Sequence, residues 1–418
     1  MKIKGDAATQ SAGTKKKICL CMIVKNEANI IERCLQSAKP VIDYVSICDT
    51  GSTDRTPEII ENWCMENEIP VTIHHEAFRN FGYNRSLSVS LAQQTYSDSD
   101  YLLLLDADMI LETKLHFDKE SLHKDLYMLM QYNKQIQYWN TRLVKTSLPW
   151  KCIGVTHEYW GLDRERLECE QSGYVESRGK LDGLIIDDQE DGGSKSDKFE
   201  RDKRLLEEGL HDQTTPPDLR SRYMFYLAQT YYCLNAFEEA IKWYKKRAEA
   251  GGWAEEVFYS MLQIGICYEA LANRASYQRQ QLQKSNEPDD QSVMDSFTHK
   301  EEQWAALAIV SYQNAWEYRP TRAEPLYFLA RMFRNQSKHS IALMYALQGK
   351  EVPFPKDDIL FVDFRVYDYF FDYEISICAF YVENKRQLGR AAVQRLRAKS
   401  NQLPADIVQS VESNAKFY

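Results

Sequence analysis

Two carboxylates stand one residue apart in Asp106-Ala-Asp108, directly behind the apolar run Leu102 to Leu105. A strand running into such a pair puts both carboxylates on one side and Ala107 on the other, because strand side chains alternate. Two close anions repel each other. A hard divalent cation relieves that repulsion while keeping coordination positions open for phosphates. The ordinary alternative is a pair of turn aspartates, since Asp-x-Asp recurs by chance. Asp49 ends a second apolar run, Val41 to Cys48. A carboxylate there can accept hydrogen bonds from a nucleobase or ribose, or close an Asx turn into Gly51. Asp54, further along Asp49-Thr-Gly-Ser-Thr-Asp54, reads as a turn or cap residue. Asn84-Arg85 opens a helix after Phe78-Arg-Asn-Phe-Gly82-Tyr. An Arg at that place can clamp a diphosphate, or sit in a surface ion pair. In Thr156-His157-Glu158-Tyr159-Trp160, a Glu beside aromatic rings can hold its proton tightly enough to act as a base. His157 could ligate a metal or meet a leaving phosphate, although His–Glu neighbours are more often structural.

These residues need elements that hold them at strand ends. Ile18 to Val24 reads as a continuous apolar strand, and Asn26 can cap the helix after it, with Ile30, Ile31, Cys34, Leu35 and Ala38 on one face. Val41 to Cys48 is the second strand. Thr56 then caps a helix with Pro57 at its first position. Val71 to His74 and Tyr101 to Leu105 are the third and fourth strands. Strands alternating with helices predict a parallel, doubly wound sheet with ligands at the carboxyl ends of its strands. From about Ser196 the strand signal vanishes. Ala228, Tyr231, Ala240 and Tyr244 recur as Gly265 and Tyr268, then as Ala308, Tyr312, Ala315 and Pro320, then as Ala330, Phe333, Ala342 and Ala346. This spacing matches the 34-residue tetratricopeptide pattern of paired helices if about 31 residues, around Gln278 to Lys300, are inserted in the second unit. A weaker unit includes Cys378 and Tyr381. Such an array offers a concave binding surface or plain structural support.

The 418 residues suit two or three domains. Lys plus Arg total 52 against 61 Asp plus Glu, a formal charge of −9, which makes the chain a poor candidate for a phosphate-backbone binder of nucleic acid. An excess of 26 Tyr over 17 Phe suits large helix interfaces or a sugar-facing surface. No apolar run approaches the roughly 18 residues of a membrane span. The apolar stretch after Lys15, Lys16 and Lys17 is too short for a signal peptide. The ten cysteines are scattered except Cys19 and Cys21, read as alternating faces of one strand and unable to bridge. The expectation is reduced thiols in a cytoplasmic protein.

Cys21-Met-Ile-Val-Lys-Asn-Glu27, Asp49-Thr-Gly-Ser-Thr-Asp54-Arg-Thr56, Asn84-Arg85, Asp106-Ala-Asp108 and Val155-Thr-His157-Glu158 stand in this order along the chain. Together they resemble the family 2 glycosyltransferases of the GT-A, nucleotide-sugar-binding fold. More narrowly, the chain resembles the subgroup in which that domain is fused to tetratricopeptide repeats, through Tyr223-Met-Phe-Tyr226-Leu-Ala-Gln229 and Gly251-Gly-Trp253-Ala-Glu-Glu256. The resemblance implies an α/β, Rossmann-like GT-A domain followed by an all-α tetratricopeptide-like domain. The expected division is a leader at 1–16, the transferase domain at 17–195 and the repeats at 196–418. It implies Mn²⁺ or Mg²⁺, a UDP-sugar donor and inverting transfer to a glycan, peptide or lipid-linked acceptor, with protein partners or self-association through the repeats.

Residue by residue, Asp49 would meet the nucleobase, Asp106 the ribose and metal, Asp108 the metal, and Val24, Asn26 and Glu27 would frame the nucleotide. Glu158 would be the base, with Arg85 at the diphosphate and His157 a possible metal ligand. The chain departs from the family where a His-rich segment often follows the last core strand. Ile186-Asp187-Asp-Gln-Glu-Asp191-Gly-Gly193 has carboxylates and no His, so a third ligand would come from Asp187, Asp188 or Asp191. Lys195 and Lys198 could close over the diphosphate. Two competing classes are a non-catalytic repeat scaffold with a decayed transferase domain and a sugar-phosphate nucleotidyltransferase. Intact Asp49, Asp106, Asp108 and Glu158 oppose the first. Lys25-Asn-Glu-Ala28 in place of a Gly-rich turn opposes the second.

Overall fold

The computed structural model describes residues 15–133, 137–167, 173–192, 198–285 and 291–418. Lys195 and positions 1–14 of the expected leader lie outside them. The chain folds as two compact units, residues 1–205 and 206–418.

In the first unit, β1 (Ile18–Val24), β2 (Tyr44–Asp49), β3 (Val71–His75) and β4 (Tyr101–Leu104) are parallel, with β1 between β2 and β4. Helices α1 (Ile31–Ala38), α2 (Thr56–Glu66) and α3 (Phe81–Thr95) connect them. Side chains of β1 divide by the strand's period of two. Ile18, Leu20, Met22 and Val24 pack with Ile31, Cys34 and Leu35 of α1 and Ile60 and Trp63 of α2. Cys19 and Cys21 pack on the other face with Val89 and Ala92 of α3. The two cysteines therefore share one face rather than alternating, and both are buried free thiols.

The sheet is mixed, not wholly parallel. After β5 (Met109–Thr113) come β6 (Leu126–Tyr132), β7 (Gln137–Lys145), the hairpin of β8 (Trp150–Ile153) and β9 (Tyr159–Leu162), and β10 (Arg178–Asp188). The eight-stranded order is β3-β2-β1-β4-β7-β6-β10-β5, with β7 antiparallel to both β4 and β6. The chain steps outward from β1 to β3 and then returns to the other side of β1. That reversal leaves a crevice at the carboxyl ends of β1 and β4, the switch point where open α/β sheets bind ligands. Helix α4 (Lys198–His211) follows the last strand.

The expected caps differ. Asn26 does not cap α1, which starts at Ile31 with no side-chain cap. Asn26 has a left-handed backbone (φ 58°), and its Oδ1 accepts from Thr53 N–H at 2.7 Å. Thr56 is the first residue of α2 rather than its cap, and Asp54 Oδ1 accepts from Thr56 N–H at 3.0 Å.

The second unit has no strand among its described residues. Its helices pair in order: α5 (Pro217–Cys233) with α6 (Phe237–Glu249), α7 (Ala254–Ser285) with α8 (Gln291–Tyr318), and α9 (Glu324–Asn335) with α10 (His339–Lys350). Then α11 (Phe371–Cys378) pairs with α12 (Arg386–Ala398), and α13 (Ala405–Ala415) closes the chain. The small and aromatic positions of the repeat pattern are its core. Ala228, Ala240, Tyr244, Ala308, Tyr312, Ala315, Ala330, Ala342 and Ala346 are all buried. Two turns repeat one chemistry: Ala236 N–H reaches Tyr231 C=O and Lys338 N–H reaches Phe333 C=O, around left-handed Asn235 and Ser337. The expected insertion lengthens both helices of the second pair, to 32 and 28 residues.

Gly265 shows why that core tolerates only small residues. A Cβ there would lie 2.5 Å from the Tyr312 ring. The ring cannot yield, because it stacks on Phe328 and its hydroxyl donates to Glu269 at 2.8 Å. Gly265→Val should therefore cost about 1–3 kcal/mol by overpacking. Denaturant unfolding of the full chain checks this, and an unchanged midpoint would mean that the α7–α8 packing is looser than described.

Candidate active site

A cavity of about 870 Å³ opens at the switch point. It is lined by Val24 to Glu27 after β1, Thr50 after β2, Asp106 to Met109 after β4, and Arg85 of α3. Gln131, Arg142 and Asp188 of β6, β7 and β10 also line it, as do Glu158 and Lys198, Arg201 and Arg204 of α4.

The turns after β1 and β2 hold each other through side chains. Ser52 Oγ accepts from Asn26 N–H at 3.0 Å, Thr56 Oγ1 from Glu27 N–H at 2.7 Å, and Asp54 Oδ2 from Ala28 N–H at 3.1 Å. Thr50 N–H and Oγ1 both donate to Val24 C=O. Most polar residues of Asp49-Thr-Gly-Ser-Thr-Asp54-Arg-Thr56 are thus spent on shaping the Val24–Glu27 wall. Asp49 is buried behind it. Its carboxylate accepts from Ser52 N–H at 3.1 Å and lies 3.2 Å from His75 Nδ1. Asp49 is not among the lining residues, whereas its neighbour Thr50 is.

Across the cavity floor runs a row of alternating charges. Arg85 Nε donates to Glu158 Oε1 at 2.7 Å, and Arg85 Nη1 meets Asp106 Oδ1 at 2.7 Å. Asp106 Oδ2 is 3.3 Å from Arg142 Nη1, and Arg142 Nη2 donates to Gln131 Oε1 at 2.9 Å. Gln131 Nε2 then donates to Asp188 Oδ2 at 2.8 Å. Burial alone would raise the Asp106 pKa, but Arg85 and Arg142 outweigh it and hold the carboxyl at about 2. Burial likewise disfavours the Arg85 cation, and Asp106 and Glu158 more than reverse that, so it stays charged.

Close packing fixes Arg85 against Glu158. A Cβ on Gly82 would lie 2.2 Å from Gly154 C=O, so only glycine lets α3 come this near the 152–158 turn. Phe81 N–H donates to Val155 C=O at 3.1 Å, and Ser86 Oγ accepts from Cys152 N–H at 2.9 Å. The Arg85 guanidinium thus pairs with Glu158, and Phe78 and Phe81 line the same cavity. His157 is exposed, with a left-handed backbone (φ 51°), and does not line the cavity, so its expected place as a metal ligand gains no support.

Among the described residues no three His, Cys, Asp or Glu side chains form a ready metal cluster. Asp106 is committed to two guanidiniums. Asp108 is half-buried on the cavity wall, and a Cβ on Gly192 would lie 3.2 Å from its Oδ2, so glycine keeps that approach open. One carboxylate completed by diphosphate oxygens fits a cation of the Mg²⁺ type, which commonly takes one or two carboxylates together with phosphates. Of the expected third ligands, Asp188 lines the cavity, while Asp191 makes a two-bond ion pair with Arg33 at 2.7 and 2.8 Å. Arg142, Gln131, Arg201 and Arg204 were not singled out from the sequence. A signal exists for Gln131, which interrupts the apolar run of β6, but not for Arg142, which follows Asn140 and Thr141 in β7.

Residues 19–117 match the family model described as Glycosyl transferase family 2. This segment is similar to the family 2 glycosyl transferases. The transferase match holds Asp49, Arg85, Asp106 and Asp108 but ends before Glu158. A TPR repeat-containing protein of Synechococcus elongatus is 36% identical over 98 residues, 23% of this chain and 22% of that protein. An uncharacterized glycosyltransferase of Rickettsia bellii is 29% identical over 142 residues, 33% of this chain and 45% of that protein. The chain thus spans less than half the length of these curated relatives. The structure of S. aureus TarS 1-349 in complex with UDP aligns over 71% of this chain and 91% of that one, at 13% identity and a TM-score of 0.30.

The Asp106 pairing gives the first unit a measurable acid dependence. Its carboxyl is held below its ordinary value of 3.8, so the folded state binds fewer protons there than the unfolded chain. The resulting stabilisation is complete above about pH 4 and is lost as pH falls towards 2. Arg142→Met should remove about 1 kcal/mol of it at pH 6. Its deficit against the parent should narrow towards pH 3 in denaturant titrations. A deficit independent of pH would mean that Arg142 acts by packing alone.

Proposed function

We propose that this chain is a metal-dependent, inverting glycosyltransferase that moves a sugar from a UDP-sugar to a hydroxyl of a glycan, peptide or lipid-linked acceptor. The observation that carries this reading is one cavity that receives both the strand-end aspartates and the Glu158–Arg85 pair. A donor seat and a proton acceptor then share one space.

In this reading Val24 to Glu27 and Thr50 seat the nucleoside, with Asp49 bracing the turn behind them. Asp106, held between Arg85 and Arg142, sets the strand end so that Asp108 is presented to the diphosphate. A divalent cation held by Asp108 would neutralise charge on the departing diphosphate. The acceptor oxygen attacks the anomeric carbon from the face opposite UDP. As the new C–O bond forms, the bond to the β-phosphate oxygen breaks and its electron pair leaves with UDP. The acceptor's proton passes to Glu158 Oε2, Oε1 being engaged by Arg85. A Gln at 158 keeps the shape but cannot take the proton.

Two variants separate these roles, read as nucleoside diphosphate release from a panel of UDP- and GDP-sugars with Mn²⁺ and as UDP binding by calorimetry. Glu158→Gln should lower turnover about 10²–10⁴-fold and leave UDP affinity nearly unchanged. Asp108→Asn should weaken UDP binding as well, and EDTA should weaken it in the parent protein. Equal UDP affinity with and without EDTA would remove the metal, and full turnover in Glu158→Gln would move the base elsewhere.

A further inference from the structure

We infer that the acceptor carries a phosphate-class anion, bound by Arg201 and Arg204 of α4 on the Glu158 side of the cavity. The inference rests on the transferase reading above and specifies its acceptor.

The chain carries a formal charge of −9, yet one wall of its cavity carries three cations of a single helix, Lys198, Arg201 and Arg204, beside one acid, Glu200. Their spacing of three residues keeps them near one face of α4. The neighbouring acids do not cancel the row. Glu200 pairs with Lys203, and Glu158 pairs with Arg85. Buried Asp202 lies 3.7 Å from Arg201 Nε and offsets one charge. Neither Lys198 nor Arg204 forms an ion pair among the described residues. A cavity wall with surplus positive charge attracts and retains an anion.

The geometry also says which substrate faces this wall. The Arg201 guanidinium lies 5.1 Å over the Phe81 ring, and Arg85 lies 6.0 Å from the same ring. Thr156 Oγ1 meets Asp202 Oδ1 at 3.4 Å, two residues before Glu158. So α4 is fastened at two points to the structure that holds Glu158, the residue an acceptor hydroxyl must approach. The donor's diphosphate belongs at Asp108. Arginine suits an anion with several oxygens, since its donors form a planar fork that engages two of them at once.

The experiment uses the full chain saturated with UDP and Mn²⁺, titrated in a calorimeter with glycerol 1-phosphate, with glycerate as the carboxylate arm and glycerol as the uncharged arm. Glycerol 1-phosphate should bind the UDP-loaded protein, glycerate more weakly and glycerol not at all. Arg204→Gln and Arg201→Gln should each weaken the phosphate about tenfold, in the range of a lost charged hydrogen bond, and leave UDP affinity unchanged. Arg204 is exposed, so its variant should melt like the parent, which separates loss of binding from loss of fold. Three results would overturn the inference: no phosphate binding once UDP is bound, phosphate competing with UDP for one site, or either variant weakening UDP itself. Failure of UDP to bind at all would instead overturn the transferase reading.

Discussion

Arg85 is the charge on which the active-site geometry turns. It sits between Asp106 at the end of β4 and Glu158 on the turn after β8, and touches each at 2.7 Å. Without it, two partly buried carboxylates would face each other across the cavity floor with only Arg142 to offset them. With it, repulsion becomes an alternating row that runs on through Arg142 and Gln131 to Asp188. Half-buried charges are tolerated when each has a close partner of opposite sign. The row thereby joins α3, β4, β6, β7, β10 and the Glu158 turn into one rigid floor.

That arrangement depends in turn on a steric condition. Arg85 reaches Glu158 because α3 lies against Gly154, and α3 can lie there because residue 82 has no side chain. The opposite wall depends on hydrogen bonds instead. Asn26, Ser52, Asp54 and Thr56 tie the turns after β1 and β2 together, so that backbone groups which no strand can satisfy are satisfied by side chains. Residues that look like ligand contacts in sequence can therefore be the framework of a binding wall. Asp49, buried and bonded to Ser52, is the clearest case.

The helical unit follows a different logic, in which contact distance rather than charge decides the residue. Alanines at 228, 240, 308, 315, 330, 342 and 346 are buried where helices approach each other, and larger aromatic side chains fill the space between them. This is why the repeat remained readable across an insertion. The inserted residues lengthen α7 and α8, while the spaced small positions stay where the helices meet.

Sequence by itself determined whatever depends on local period and chain order. The strands at Ile18, Tyr44, Val71 and Tyr101 follow from short apolar runs, the carboxyl-end position of Asp106 and Asp108 from the run before them, and the helical repeats from recurring small residues. Tertiary structure decided whatever depends on residues far apart in the chain. The mixed character of the sheet arises because β7 enters antiparallel beside β4, a pairing between positions about 40 residues apart that no local pattern records. For the same reason Arg85 could be read as a diphosphate clamp, although its partner Glu158 lies 73 residues away. His157 and Glu158 are adjacent in sequence, yet only Glu158 lines the cavity, because a left-handed turn at His157 separates the two. Charge pairing acts through space, and a single chain of residue types carries period and composition but not distance.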